Sequence, residues 1–138
     1  MILLDTSGLL AAVDSAQRRH VEAAESLAAA TPPLLLSPFV LAELDDLLAT
    51  KVGEAARTSL LCEVERGAYQ LQPFSAAEVG QARATIERHA DLRVSLADAS
   101  IAVLAARYQT QEVLTLDERH FRVLTARAKP FRLLPADA

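Results

Sequence analysis

The chain has 138 residues and a mass of 14.9 kDa, enough for a single domain, 1–138, whose core needs neither disulfides nor a structural zinc. Its net charge of −4 divides into 5 Lys+Arg against 10 Asp+Glu over residues 1–69 and 9 against 8 over residues 70–138, which excludes a protein that grips nucleic acid by bulk charge alone. No apolar run approaches the ~20 residues of a membrane span, and the start has no basic segment leading into a signal-type core, so a soluble, cytoplasmic protein without a membrane partner is expected.

Met1 to Leu4 is an uninterrupted apolar run, the pattern of a strand buried on both faces, and Asp5 stops it without a glycine or proline. Two predicted helices follow, over 6–14 and 18–30, and then a strand at Leu34 to Leu36. Helices over 38–52 and 54–66, parted by Gly53, lead to a strand at Tyr69 to Leu71. Cys62, the single cysteine, falls in the apolar part of the second of these and is expected to be a buried, inert thiol. Ser75 and Glu78 have the spacing of a capping box at the start of a helix over 75–89, with Val79, Ala82 and Ile86 on one face. The stretch 95–108 has almost no polar side and predicts a buried helix. Val113 to Thr115 predicts a strand, followed by a turn and an amphipathic helix reaching Leu124, and Phe131 to Leu134 closes the series. Strands alternating with helices argue for an α/β fold, a mostly parallel sheet with helices on both faces.

Asp98 projects from the nearly all-apolar helix, where an unpaired buried carboxylate is costly. Ser95 offers it a second explanation, as the N3 member of a capping box. Asp5 and Asp117 each follow a strand and precede a helix, so each is either a helix cap or part of a site at the carboxyl edge of the sheet. Glu43 falls beside Leu47, just outside the apolar arc of its helix, from where it can reach over the sheet edge toward Asp5; Asp46 points further into solvent. Several carboxylates crowded in one pocket repel each other unless a cation joins them. Oxygen ligands select Mg²⁺ or Mn²⁺, and the histidines His20, His89 and His120 have no zinc spacing. Phosphodiester hydrolysis by metal-activated water follows from such a site.

In order along the chain, "LLDTSGLLA", "SPFVLAEL", "SLADASIAVLA" and "LTLDERHF" resemble the PIN domain nucleases, and more closely the VapC-type toxins of toxin–antitoxin pairs. The resemblance covers nearly the whole chain. It implies a three-layer fold with a five-stranded parallel sheet in order 3-2-1-4-5, and a catalytic, metal-holding set made of Asp5, Glu43, Asp98 and Asp117. Thr6 or Ser7, together with Thr115, fall where the family has hydroxyls that support the carboxylates. Single-stranded RNA as substrate, homodimers and neutralisation by a cognate antitoxin are further implications. With aromatics at 4% and no Trp, a base-stacking platform is poorly supplied. Arg18, Arg19, Arg93, Arg119 and Arg122 are the candidates for holding phosphates.

Three other readings are open to the sequence. A receiver domain would also be a small acidic α/β protein, and "AKPF" mimics its lysine and proline, but "DTS" and "QLQPF" lack the acidic pair and the phosphoacceptor such a domain needs. A PIN-like module that binds RNA or protein without cutting, and a DNA-directed nuclease of the same fold, differ from the first reading in activity and substrate.

Overall fold

The computed structural model describes all residues 1–138. Its central strand is β1, Ile2–Leu4, with every residue buried. β2, Leu34–Leu36, pairs parallel on one side and β4, Glu112–Leu114, parallel on the other. Beyond β2 lies β3, Gln70–Leu71, and beyond β4 lies β7, Arg132–Leu134, both parallel. The sheet order is therefore β3-β2-β1-β4-β7, the expected 3-2-1-4-5 with two additional strands counted before the last. Those two, β5 (Thr125–Ala126) and β6 (Lys129–Pro130), form a separate antiparallel hairpin. The inner strands lack apolar–polar alternation because both of their faces are covered.

The helices are α1 (Thr6–Val13), α2 (His20–Ala29), α3 (Pro38–Lys51), α4 (Glu54–Glu65), α5 (Ala76–Arg88), α6 (Leu96–Tyr108) and α7 (Glu118–Phe121), with a single 3-10 turn at Ala90–Leu92. α6 is buried along most of its length, as Ala97 and every residue from Ala99 to Ala105 are covered. The chain winds outward from β1 through β2 and β3, then returns to build β4 and β7 on the other side. The carboxyl ends of β1 and β4 are thus neighbours at the switch point, with Leu4 in register with Leu114. α1 crosses there so closely that a Cβ on Gly8 would lie 2.3 Å from the Leu114 carbonyl oxygen.

Two expectations fail. Cys62 is exposed, because α4 packs on α3 outside the sheet with Leu60 buried and Ala56 and Val64 half-buried, which turns Leu61 and Cys62 to solvent. The amphipathic helix expected to reach Leu124 ends at Phe121. The Val123 and Leu124 amides both turn back to the His120 carbonyl, and the hairpin occupies 125–130.

Candidate active site

Asp5 follows β1 and occupies the N-cap position of α1, yet its side chain caps nothing. Its Oδ2 instead accepts hydrogen bonds from Ser7 Oγ at 2.8 Å and Thr115 Oγ1 at 2.7 Å. Ser7 Oγ also accepts the Leu116 amide at 3.0 Å and Thr115 Oγ1 accepts the Asp117 amide at 2.9 Å. The hydroxyls therefore fasten Asp5 to the chain that leaves β4, across the switch point. No side-chain donor reaches Asp5 Oδ1. Thr6, also buried, has an Oγ1 with no hydrogen-bond partner at all.

Asp98 lies near the start of α6, and the capping box is formed in both directions: Ser95 Oγ accepts the Asp98 amide at 3.1 Å and Asp98 Oδ2 accepts the Ser95 amide at 3.2 Å. Asp117 caps α7, its Oδ1 accepting the His120 amide at 3.1 Å. Its Oδ2 lies 2.5 Å from His120 Nδ1, and Asp98 Oδ2 lies 3.8 Å from the same nitrogen. The Nε2 of His120 meets the Leu92 carbonyl at 3.0 Å. With an acceptor at each ring nitrogen, the surroundings favour the protonated imidazole, the one form that can donate at both. Its pKa is raised accordingly, chiefly by the hydrogen bond to Asp117.

Asp5, Asp98 and Asp117 line one cleft of about 430 Å³, with Thr6, Ser7 and Ser95 also in its wall. Glu43 reaches the same cleft from the exposed face of α3, beside Leu47 as the helical wheel predicts. All four predicted acids are therefore brought together. Burial pushes the Asp5 carboxyl up to about 6, with the charge of Asp98 acting in the same direction and the hydroxyls of Thr115 and Ser7 opposing. Asp98 is raised too, again by burial first. No Lys or Arg is paired with Asp5, Asp98 or Asp117, so His120 is the one cation in contact with the cluster.

This donor set fits a divalent cation. The carboxylates are oxygen donors in a space too crowded to hold all their charges comfortably, no side-chain donor reaches Asp5 Oδ1, and the Thr6 hydroxyl in the cleft wall has no hydrogen-bond partner within the protein. Asp98, Asp117 and His120 bring potential ligand atoms within 4.8 Å of one another, and His120 could serve as a ligand only after giving up the proton it directs at Asp117.

The arginines are less obliging. Arg19 is paired with Glu22 at 2.9 Å, and Arg122 with Glu118 at 2.9 Å and Asp137 at 2.7 Å. Arg18, Arg93 and Arg119 are exposed, but none of the five lines the cleft. Lys51 and Gln17 do, and neither stands out in the sequence. His120 was equally inconspicuous; only its place three residues after Asp117, on the first turn of the helix Asp117 caps, could have marked it.

Against known proteins, the family model described as PIN domain matches residues 2–125. Ribonuclease VapC26 of Mycobacterium tuberculosis (strain ATCC 25618 / H37Rv) is 43% identical over 123 residues, covering 89% of this chain and 91% of the relative. The crystal structure of Mycobacterium tuberculosis VapC20, described as a Sarcin-Ricin loop cleaving toxin, superposes with a TM-score of 0.84 at 22% identity over 94% of this chain and 100% of that one. FitAcB from Neisseria gonorrhoeae superposes with a TM-score of 0.59 at 26% identity over 96% and 97%. Matched along nearly its whole length by family model, relative and fold, the chain belongs to the PIN domain family.

Proposed function

We propose that this chain is an endoribonuclease that hydrolyses single-stranded RNA with Mg²⁺ or Mn²⁺ and acts in the cytoplasm as the toxin of a toxin–antitoxin pair. The convergence of Asp5, Glu43, Asp98 and Asp117 on one cleft carries this reading, since an exposed helix glutamate and three aspartates at the starts of different helices have no structural reason to meet. RNA as the substrate is supported by the 43% identity to Ribonuclease VapC26. When bound, the cation activates a water as nucleophile and offsets charge on the phosphate. Asp5, Asp98 and Asp117 would hold it, and Ser7 and Thr115 fix the Asp5 carboxylate through its Oδ2. Glu43, exposed on α3, would take the proton of the attacking water, and Lys51, about two turns further along the same helix and also in the cleft wall, would offer charge to the phosphate.

The polypeptide partners are a second copy of the chain and a cognate antitoxin. Exposed Val21 on α2 and Leu61 on α4 supply apolar surface for them. Sedimentation at micromolar concentration, alone and with the protein encoded next to it, checks this; a monomer in both samples would remove the claim.

The decisive assay compares RNA and DNA of one sequence, with Mn²⁺ and with chelator. Cleavage of RNA alone, lost with chelator and in Asp5→Asn, leaving a 3′-hydroxyl and a 5′-phosphate, is the expected result. A 2′,3′-cyclic phosphate would overturn the water mechanism. Cleavage of DNA with RNA spared would overturn the substrate, and RNA binding without any cleavage would favour a non-cutting module.

A further inference from the structure

A phosphate seated over Asp5 belongs to a strand that must continue across the protein surface. Arg88, Arg93, Arg119, Arg127 and Lys129 are all exposed, and none has a carboxylate oxygen within 4.0 Å. Their neighbours in sequence are spent: Arg83 is paired with Glu87, Arg107 with Glu78, Arg122 with Glu118 and Arg132 with Glu112. These five lie on two segments, 88–93 and 119–129, that meet at two places; Arg18 and Lys51, also exposed and without a carboxylate within 4.0 Å, lie elsewhere. At one end His120 Nε2 donates to the Leu92 carbonyl at 3.0 Å, beside Arg93 and Arg119, and the same ring is bonded to Asp117 of the site. At the other end Arg88 and Arg127 line a groove of about 320 Å³, with Thr85, Ala102, Ala106 and Thr125 among its walls.

The groove has the chemistry of a backbone track. Its walls are small side chains and hydroxyls without an aromatic ring, so they suit ribose and phosphate and give bases nothing to stack on. Arg127 and Ala128 turn the hairpin at φ 52° and 62°, a left-handed conformation usually left to glycine or asparagine, here occupied by an arginine that faces the groove. Lys129 stands opposite Ala126 in the same hairpin. One unpaired carboxylate, Asp91, lies on these two segments.

We propose that the groove between α5, α6 and the β5–β6 hairpin, reached from the cleft past Arg93 and Arg119, carries the phosphate backbone of the RNA on one side of the cut. This rests on the ribonuclease reading and adds the path of the strand, with contacts independent of sequence. An acidic protein segment is the competing occupant.

The test uses full-length Asp5→Asn protein, expected to bind RNA without cutting it, and a labelled ~20-nucleotide single-stranded RNA followed by fluorescence anisotropy across salt concentrations. Arg88→Gln/Arg127→Gln, added to that background, should bind several-fold more weakly, and the slope of log affinity against log salt should fall by about 1.4, at ~0.7 per lost single-strand phosphate contact. Lys129→Gln should show half that change in slope, and Arg66→Gln, on an arginine paired with Glu63 beyond α4, should show none. Equal affinity and slope in the double variant would overturn the groove and leave the nuclease reading intact. Unchanged RNA binding with weakened antitoxin binding would assign the groove to the protein partner and overturn it too. Absence of RNA binding by the Asp5→Asn protein, with no cleavage by the unsubstituted chain, would overturn both.

Discussion

The carboxylate of Asp98 accepts the Ser95 amide and also stands in the cleft 3.8 Å from His120 Nδ1, so capping and site membership coexist in one side chain. Replacing it with Asn separates their energies. The loss of negative charge at the α6 start costs about 0.3–1 kcal/mol. Against this, the variant no longer holds a charge that burial disfavours and that repels Asp5. The metal-free melting temperature of Asp98→Asn should therefore move little, by less than the equivalent of about 1 kcal/mol. The rise that Mn²⁺ gives the parent should shrink, because stabilisation by a ligand scales as RT ln(1 + [L]/Kd), and cleavage should fall by orders of magnitude. Thermal melts with and without Mn²⁺ check this. A clear metal-free loss with the metal response and cleavage intact would reduce Asp98 to a cap.

At the scale of elements, the site depends on how closely α1 approaches β4. A Cβ at position 8 would meet the Leu114 oxygen at 2.3 Å, its carbonyl carbon at 2.5 Å and the Thr115 nitrogen at 2.8 Å, all backbone atoms that cannot swing aside. Gly8→Ala should destabilise by about 1–3 kcal/mol or more, the range for overpacking, although Ala is the better helix former. Cleavage should drop as well, since the displaced helix carries Ser7 away from Leu116 and Thr115. Denaturant midpoints and cleavage rates measure the two effects, and an unshifted midpoint would contradict the contact. The parallel strands and the four acids were legible because apolar runs and residues that break them are local signals. The exceptions have physical causes. The β5–β6 hairpin was hidden because its turn is Arg127–Ala128, without the Asn-Gly or Gly that marks such turns. His120 was hidden because two of its three partners, Asp98 and the Leu92 carbonyl, are distant in sequence, and its spacing to the third, Asp117, is common in capped helices. Cys62 was misplaced because composition reveals that α4 is helical but not that it leans on α3 at the outside of the molecule. Its thiol should react stoichiometrically with Ellman's reagent in the native protein; reaction only after denaturant is added would restore the buried placement.

For the whole molecule, the crowded acids predict an unusual dependence of stability on pH. Asp5 has its pKa raised from 3.8 to about 6 by burial, so between those values the folded chain binds more protons than the unfolded one. The corresponding stability is complete below the unfolded pKa and is lost as pH rises through 6, amounting to about 3 kcal/mol at 1.36 kcal/mol per pK unit. Asp98 is shifted in the same direction, by burial. His120 is raised as well, through Asp117, and its contribution is present below 6.5 and lost as pH climbs through its higher folded value. Asp137 opposes them at the acid end: Arg122 lowers it to about 2, so its contribution is present above 3.8 and lost as pH falls toward 2. The metal-free protein should therefore melt highest near pH 4–5 and progressively lower toward pH 7.5. Divalent metal should oppose that trend, because it would bind the ionised carboxylates: the gain in melting temperature with Mn²⁺ should be larger at pH 7.5 than at pH 5. In Asp5→Asn the metal-free decline should flatten and the Mn²⁺ gain should largely vanish together. Calorimetry from pH 4 to 7.5, with chelator and with Mn²⁺, gives both curves, and a metal-free melting temperature that rises between pH 5 and 7 would show that the carboxylates of the cleft are not held at the expense of the fold.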